Sequence, residues 1–508
     1  MIRPSRRCKT ALAAGSSPAP LRVHLPLRSP FCDQPGAILN ASPARPDVAI
    51  AARASACPGL LHIVPARDGG LCRIKLPGGV LLAAQAQAVA AAAAAHGNGV
   101  IEITNRANLQ LRGVRPGHAD TLIQQLLLAG LGPQGSADET SHTLSARDNV
   151  RNVMLSPLAG RDAHAVLDTR PLAAALLNLL QSTPAFAALS PKFSILLDGA
   201  EALAATQHAH DIWLATLPPD AHGARLAFGL AGCPPTRGDD AQNSVLAWLR
   251  PEHAAALVEA LLHAFLQRAT PAQARMRDVL SSVAVADLLA DIANPVPLFD
   301  ATDLHHWQRA PVDSTLRFGA HPQHDPALVY VGAQAPLGRL HSALLQQIAN
   351  LATRFAQSHA ALHCTPWQSL IIPDIQAANA PALEHALQAL GLVTRADHPM
   401  AGLIACAGSA GCAKARADVK ADALALSAHI APGTEVHLSG CERSCAAAHT
   451  AAWTLLASAP GYYDVYQRAA PASDPDARFG TLRAHHLTPD QAGALIRATP
   501  HNPDSFDA

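Results

Sequence analysis

The segments CAGSAGC (406–412) and GCERSC (440–445) place four of the ten cysteines of the chain within forty residues near its C-terminus. Only Ala, Gly and Ser lie between Cys406 and Cys412. Backbone N–H groups must approach the sulfides of an iron–sulfur cluster closely, and small side chains leave room for that approach. Cys441 and Cys445 are four residues apart, so both would lie on one face of a helix. The pattern therefore predicts a 4Fe–4S cluster on Cys406, Cys412, Cys441 and Cys445.

Two other interpretations of these cysteines stay open at the level of spacing. Four buried, unliganded thiols are one alternative, because cysteine without a partner is often buried. A zinc site is the other, although structural zinc generally has two to four residues between paired ligands and the gap of five fits less well. The six remaining cysteines show no comparable grouping. We interpret those six as structural or incidental, in a reducing compartment rather than a disulfide framework.

Composition and charge indicate a folded protein and give no sign of nucleic-acid binding or of a membrane span. The chain has 508 residues, 49% of them hydrophobic and 15% charged, which indicates a folded protein of two to four domains. Lys+Arg and Asp+Glu balance at 38 each, so no overall charge favours nucleic acid. No apolar run is long enough for a bilayer, and no apolar stretch typical of a cleaved signal follows the first arginines. We expect a cytoplasmic protein whose Pro- and Arg-rich residues 1–55 form a disordered extension.

A repeat organises the rest of the chain. A strand, a Pro-Gly turn, a helix and a second strand occur twice, with helices predicted at Val80–His96 and Leu340–Ser358. Thr104 matches Thr365 at an offset of 261 residues, which predicts two half-domains related by a pseudo-twofold axis. The predicted units are a half-domain at 56–125, an α+β domain at 145–300, a second half-domain at 326–385, a cluster domain at 398–460 and a tail at 461–508.

Polar and basic residues recur at the ends of apolar segments. Arg73 and Lys75 alternate along one strand and so share a face, and burying Arg106 without a partner would be costly. If such side chains converge, each charge-assisted hydrogen bond to a carboxylate contributes about 1.5–3 kcal/mol. The predicted anion-binding residues are Arg73, Lys75, Arg106, Asn108, Arg112, Arg151, Asn152 and Lys192. By contrast, His208 and His210 are interpreted as surface or loop residues without a persuasive ligand set.

These features together resemble the nitrite/sulfite reductase superfamily. The resemblance rests on Cys-x5-Cys with Cys-x3-Cys, on the half-domain repeat and on the segments around Arg106, Arg151 and Lys192. It implies an α+β fold with two ferredoxin-like half-domains and two domains of the 4Fe–4S/tetrapyrrole type. It also implies that these three cations face a macrocycle or its substituents.

Within the superfamily the chain looks most like the precorrin-3B synthases of aerobic cobalamin biosynthesis. The segments that carry this closer likeness are 56–59, 66–70, 104–113, 156–160 and 439–441. The likeness implies a monooxygenase that hydroxylates precorrin-3A at C20 and closes a γ-lactone, with dioxygen and an external reductant such as NAD(P)H acting through a donor protein. It leaves room for a mononuclear non-haem iron, whose ligands the sequence does not identify.

One departure from the superfamily separates the competing functions. The reductases usually place a second Lys two residues after the Lys that matches Lys192, and here that position is Ser194. The missing cation disfavours a sirohaem-dependent sulfite or nitrite reductase, which must bind a small anion. A non-catalytic iron–sulfur electron carrier is the other alternative, and the length of the chain disfavours it. The catalytic residues are not identified by sequence.

Overall fold

A computed structural model describes residues 57–135, 140–236, 245–292, 296–304, 306–357, 359–468 and 479–499. The fold is α+β, as predicted, and it is built on four five-stranded sheets. The extension predicted for 1–55 lies outside the described residues. Within these ranges no helix combines the length and the apolar character that a bilayer crossing requires.

The first half-domain is an antiparallel sheet covered by two helices. Its sheet has the order β1-β2-β5-β4-β13, so its last strand comes from far along the chain. Its own elements are β1 (Val64–Ala66), β2 (Gly69–Ile74), β3 (Val80–Leu82), α1 (Ala83–His96), β4 (Val100–Ile103), β5 (Leu109–Val114) and α2 (Ala119–Leu128).

The middle domain follows and contains a mixed sheet of order β10-β9-β8-β7-β6. The strands β6, β7 and β8 are parallel, whereas β9 and β10 are antiparallel to their neighbours. Its elements are α3 (Ser141–Asn149), β6 (Val153–Met154), α4 (Arg170–Ser182), β7 (Ile195–Asp198), β8 (His210–Asp220), β9 (Gly223–Gly232), β10 (Ala247–Leu249), α5 (Ala254–Arg268), α6 (Met276–Leu280) and α7 (Val285–Ala290).

The second half-domain repeats the first, with the sheet order β11-β12-β15-β14-β3. A single hydrophobic core runs through both half-domains and includes Val89 of α1 and Ile348 of α8. The elements of the second half-domain are β11 (Gly319–Pro322), β12 (Leu328–Ala333), β13 (Arg339–His341), α8 (Ser342–Phe355), β14 (Ala361–Cys364), β15 (Leu370–Gln376) and α9 (Ala380–Ala389).

The two half-domains exchange a short strand, which the sequence interpretation missed. The residues 80–82 and 339–341 were predicted as first turns or flanks of helices, but they form β3 and β13. β3 pairs with β14 of the second half-domain, and β13 pairs with β4 of the first. Hydrogen bonds to a distant strand decide this conformation, and local periodicity contains no information about them.

The repeat is confirmed, but its offset is not uniform. Helix α1 begins at Ala83 and α8 at Ser342, a difference of 259, whereas β5 begins at Leu109 and β15 at Leu370, a difference of 261. The second copy therefore has two extra residues between helix and strand. The match of Thr104 with Thr365 holds, whereas before the helix the offset is 259, so the equivalent of Leu76 is Ala335.

The cluster domain has the same strand arrangement as the middle domain. In the order β16-β17-β18-β19-β20 the first three strands are parallel and the last two antiparallel. Its sheet extends beyond the predicted end at 460, because the supposed tail supplies two strands and a helix. Its elements are β16 (Leu403–Ala405), α10 (Gly408–Gly411), α11 (Val419–Leu426), β17 (Val436–Ser439), β18 (Trp453–Ala459), β19 (Tyr462–Gln467), β20 (Thr481–Leu487) and α12 (Pro489–Ala498).

Candidate functional site

The four predicted cluster cysteines lie at the C-terminal ends of two adjacent parallel strands. Cys406 follows β16 directly and Cys412 follows the short helix α10, while Cys441 comes two residues after β17. The segment between Cys441 and Cys445 is a turn rather than the helix considered above, with Ser444 at a φ of 52°. Loops at the ends of parallel strands meet at one edge of a sheet, and that geometry brings the two cysteine pairs together.

The thiol of Cys445 lies near the other three cysteines. Burial raises the pKa of Cys445, and charge on Cys406, Cys441 and Cys412 raises it further. The backbone N–H of Gly440 donates to Sγ of Cys406 at 3.4 Å. A Cβ on Gly440 would lie 2.6 Å from the Cβ of Ala415, so only glycine fits there. Converging thiols, a donated N–H and small neighbours fit a 4Fe–4S cluster.

The same thiols do not assemble a mononuclear site. Among the described residues, no three His, Cys, Asp or Glu side chains converge closely enough to hold one metal ion. A cubane differs in this respect because each thiolate binds a different iron, so its ligands are spread over the corners. The described part of the chain likewise offers no ligand set for the additional mononuclear iron.

Two buried cations form hydrogen bonds with the backbone of the first cysteine loop. Arg112 donates from a terminal nitrogen to the carbonyl of Gly411 at 2.6 Å, next to Cys412. Lys420 donates to the carbonyl of Ala405 at 3.3 Å, next to Cys406. A Cβ on Gly411 would lie 2.3 Å from the Arg112 guanidinium, so glycine admits this contact.

Both cations belong to one buried network around Glu102. Arg112 and Lys420 lie 3.5 and 3.8 Å from its carboxylate, and Arg339 of the second half-domain lies at 2.9 Å. These cations outweigh the effect of burial and hold the pKa of Glu102 below its usual range. The network therefore ties the cysteine loop to both half-domains.

The middle domain contains the counterpart of the cluster site without its cysteines. Val153 pairs with Ile195 as Leu403 pairs with Val436, which makes Ser156 the equivalent of Cys406. The Ser156 hydroxyl donates to the carbonyl of Leu203 at 2.7 Å. A small apolar cluster fills this counterpart: Leu158, Leu203, Tyr330 and Ile371.

Four of the cations named from the sequence lie near one another beside the cluster domain. Burial lowers the pKa of Lys75 to about 7, and the nearby charges of Arg73, Arg151 and Arg106 add to that shift. We call Arg73, Lys75, Arg106 and Arg151 the cation cluster. Burial lowers the pKa of Arg73, and negative charge on Cys445 opposes that shift, so the cation cluster lies next to the cysteines.

Some of these cations have protein partners and others keep unused donors. The Lys75 ammonium donates to the carbonyls of Asp148 and Asn149 at 2.7 and 2.6 Å. The guanidinium of Arg106 donates to the carbonyl of Lys192 at 3.2 Å, and its pKa falls to about 10 through burial and neighbouring arginines. Nε of Arg73 is buried and has no hydrogen-bond partner within the described ranges.

The other four predicted binding residues are Asn108, Arg112, Asn152 and Lys192, and the first three form hydrogen bonds with the backbone. The Asn108 carboxamide oxygen accepts from the N–H of Leu76 at 2.7 Å. The Asn152 amide donates to the carbonyls of Asn149 and Pro191 at 3.0 and 2.9 Å. Lys192 is exposed, and Arg112 lies behind the cysteines rather than in the cation cluster.

The interpretation of His208 and His210 as surface or loop residues is wrong about the surface, because both are buried; His208 does lie in a loop, whereas His210 is the first residue of β8. Their exposed fractions are 5% and 4%, and burial lowers both pKa values, that of His208 to about 3. Nδ1 of His210 lies 3.1 Å from the Ser194 hydroxyl, so the position that holds a second Lys in the reductases is buried and neutral here. The sequence signal, two histidines separated by one residue where a strand begins, did not distinguish a buried site from an exposed one.

Comparison with protein families matches three segments of the chain. Residues 146–297 match the "Nitrite and sulphite reductase 4Fe-4S domain". Residues 64–129 and 321–390 match the "Nitrite/Sulfite reductase ferredoxin-like half domain". The 4Fe–4S domain match falls on the middle domain, whose sheet has the same arrangement as that of the cluster domain.

Curated relatives include two kinds of enzyme. Chloroplastic ferredoxin–nitrite reductases of Zea mays and Arabidopsis thaliana are 27% and 28% identical, cover 74% of this chain, and are themselves covered to 67% and 65%. The chain thus spans about two thirds of these relatives. A precorrin-3B synthase of Sinorhizobium sp is 27% identical over 82% of this chain and 84% of the relative.

A solved structure shares the fold. The Mycobacterium tuberculosis NirA protein superimposes with a TM-score of 0.65 and 22% identity, over 84% of this chain and 79% of that one. At this identity the likeness concerns the architecture alone.

Proposed function

This chain belongs to the nitrite/sulfite reductase superfamily, and on that premise we propose that it is a tetrapyrrole monooxygenase of the precorrin-3B synthase type. It would hydroxylate precorrin-3A at C20 and close a γ-lactone. One oxygen atom of dioxygen enters the product, and the other leaves as water after the uptake of two electrons and two protons. The observation that carries the proposal is a cation cluster beside four converging thiols, with a neutral residue where reductases have a second Lys.

The cysteines would hold the iron–sulfur group. Cys406, Cys412, Cys441 and Cys445 supply the thiolates, and the Gly440 N–H donates to one of them. When bound, a 4Fe–4S cluster supplies single electrons, which it receives from an external donor. Lys420 and Arg112 hold the carbonyls immediately before Cys406 and Cys412, and these contacts would keep the two thiols in position.

The cation cluster would orient the carboxylates of the substrate. Arg73 has an unused buried donor, and such a donor is costly unless a ligand pairs with it. Lys75 has a pKa of about 7 without a ligand, and a nearby carboxylate would raise that pKa and keep the ammonium charged. A polycarboxylate macrocycle fits this set better than a single small anion, because the cations come from three separate segments: the end of β2, the loop before β5 and the loop after α3.

A sirohaem-dependent nitrite reductase is the second candidate function. The plant relatives named above favour it. Ser194 argues against it, since this neutral side chain, which contacts His210, stands where the reductases have a second Lys. An electron carrier is disfavoured by the two half-domains and the cation cluster, which a carrier does not need.

Incubation with precorrin-3A, a reductant and ¹⁸O-labelled dioxygen distinguishes these functions. We expect a product that carries one labelled oxygen, measured by mass spectrometry. A product of unchanged mass would exclude the hydroxylase. Sirohaem absorption bands in purified protein, together with turnover of nitrite, would establish the reductase instead.

A further inference from the structure

A buried carboxylate, Asp148 in the last turn of α3, contacts two members of the cation cluster. The residue is only 1% exposed. Its Oδ1 accepts from the Arg151 guanidinium at 3.3 Å, and its backbone carbonyl accepts from the Lys75 ammonium at 2.7 Å. Arg151 also donates to the carbonyl of Lys75 at 3.4 Å, so these three residues form one connected group. Asp148 thus links the middle domain to the strand end of the first half-domain.

The other carboxylate oxygen of Asp148 holds a third cation through one peptide group. Oδ2 accepts from the N–H of Leu60 at 3.1 Å, and Leu60 is fully buried. The carbonyl of Gly59 belongs to the same peptide group and accepts from the N–H of Arg73 at 3.2 Å. A Cβ on Gly59 would lie 3.1 Å from Oδ2, so glycine leaves room for this approach. Asp148 therefore holds three of the four members of the cation cluster, two directly and one through this peptide group.

Asp148 also supplies negative charge near the Lys75 ammonium. Burial lowers the pKa of Lys75, the three arginines of the cation cluster lower it further, and the charge of Asp148 opposes them. Burial likewise lowers the pKa of Arg151, and Asp148 again opposes the shift. Cys72 lies near Asp148 as well, but burial raises its pKa, so it is a neutral thiol. Without the charge of Asp148, Lys75 should therefore lose its proton at a lower pH.

We propose that Asp148 is a positioning residue for the substrate: it sets the spacing of three cations that bind the carboxylates of the tetrapyrrole, and it keeps Lys75 charged. The inference rests on the proposed function in that a polycarboxylate binds at the cation cluster. Asp148 acts through these cations, because both of its carboxylate oxygens already accept from protein donors. Cations that are held in place before the ligand arrives lose less conformational freedom when it binds, so their spacing matters as well as their charge.

Replacement of Asp148 by Asn separates positioning from simple electrostatics. An amide offers one acceptor oxygen instead of two, so either the Leu60 N–H or the Arg151 guanidinium loses its partner. Loss of a negative charge, taken alone, would strengthen the binding of an anion. Loss of positioning should instead weaken that binding by about 10- to 100-fold, the range for one charge-assisted hydrogen bond. The two explanations therefore predict opposite signs.

Asp374 provides a matched control at a contact between the middle domain and the other half-domain. Its carboxylate accepts from Arg161 of the middle domain at 2.8 Å and from Gln323 at 2.8 Å. These partners lie outside the cation cluster. Asp374→Asn should therefore lower Tm, as loss of a contact between domains does, but keep the affinity of the wild type for a polycarboxylate.

The first measurement is the affinity of the holoprotein for uroporphyrin, a stable porphyrin with eight carboxylates, followed by its fluorescence from about pH 5.5 to 9. In the wild type we expect the affinity to fall as pH rises above about 7, because the Lys75 ammonium loses its proton. In Asp148→Asn the affinity should be about 10- to 100-fold weaker, and its fall should begin at a lower pH. If Asp148→Asn binds as tightly as Asp374→Asn, or more tightly, the proposal is overturned.

The second measurement follows the proton on Lys75 and needs no ligand. Protein labelled with ¹³C at the ε carbon of lysine gives few NMR signals, because the chain has only five lysines: Lys9, Lys75, Lys192, Lys414 and Lys420. The signal that is missing from Lys75→Met belongs to Lys75. Its titration midpoint should lie at a lower pH in Asp148→Asn than in the wild type or in Asp374→Asn, and equal midpoints would overturn the proposal.

Failure of this inference and failure of the proposed function are distinguishable. If the wild type neither binds uroporphyrin nor turns over precorrin-3A, the proposed function fails, and the Lys75 signal alone decides whether Asp148 keeps that lysine charged. If Asp148→Asn is unfolded by circular dichroism, Asp148→Glu takes its place, since Glu keeps the charge but displaces both oxygens by one methylene. We expect Asp148→Glu to keep the Lys75 midpoint and to bind uroporphyrin about tenfold more weakly. Unchanged binding in this variant would overturn the proposal.

Discussion

Replacement of Arg112 by Met tests whether the half-domains hold the cysteine loop in place. Met is similar in length to Arg but has no donor, so the change removes the hydrogen bond to the Gly411 carbonyl at 2.6 Å. It also removes a bidentate contact with Asp68 at 2.8 and 3.0 Å and the 3.5 Å approach to Glu102. We therefore expect the loop that contains Cys412 to open more often.

The magnitude follows from the partners that remain. Breaking a buried ion pair costs about 3–5 kcal/mol. Asp68 is 19% exposed and regains solvation, and Glu102 keeps Arg339 and Lys420, so the lower end applies. The bond to the Gly411 carbonyl alone is worth about 1.5–3 kcal/mol. A loss of about 3 kcal/mol corresponds to roughly a hundredfold larger population of open loop.

The assay is the rate at which anaerobically reconstituted protein loses iron to an excess of a strong chelator. Chelation requires an open loop, so the rate should rise roughly a hundredfold in Arg112→Met if opening and closing are fast. Arg115→Met is the matched control, because within the described ranges the Arg115 guanidinium donates to carbonyls of its own half-domain, Ala95 and Gly97. Equal rates of iron loss in Arg112→Met, Arg115→Met and wild type would refute the reasoning.

Two further predictions concern stability. Gly79→Ala should lower the free energy of unfolding by about 2–4 kcal/mol, because a Cβ there would lie 2.1 Å from the Cys364 carbonyl at a φ of +74°. Gly117→Ala, at a φ of +79° with nothing within 4 Å, should cost only about 1 kcal/mol in the same denaturant titration, and equal costs would contradict the steric argument. Burial and Asp198 raise the pKa of Glu201 to about 8, so folded protein retains a proton that unfolded protein loses, and stability should fall as pH rises from about 4.5 to 8. Glu201→Gln should flatten the dependence of Tm on pH across this range, and an unchanged slope would show that Glu201 is not the group responsible.

Much of the architecture could be predicted from the sequence because it depends on local patterns. The recurrence of strand, turn, helix and strand identified the half-domains, and Thr104 and Thr365 occupy equivalent loops. The four cysteines could be grouped because two short segments contain them.

Other features depend on contacts between distant segments. β3 is a strand only because β14 of the other half-domain pairs with it. The role of Arg112 behind the cysteines depends on the approach of Gly411, which lies 299 residues further along the chain. His208 and His449 meet in the same way, from two domains whose sequences give no sign of the contact. The local periodicity of a sequence does not indicate contacts between residues so far apart in the chain.

The central claim is that four thiolates from two loops hold one 4Fe–4S cluster. Iron and acid-labile sulfide, measured on full-length protein prepared anaerobically, test it most directly alongside Cys441→Ser and the control Cys233→Ser. We predict about four iron and four sulfide per chain in the wild type and in the control, and loss of the visible spectrum in Cys441→Ser. Wild-type protein that contains neither iron nor sulfide after reconstitution, or a Cys441→Ser variant that keeps the full spectrum, would contradict the account.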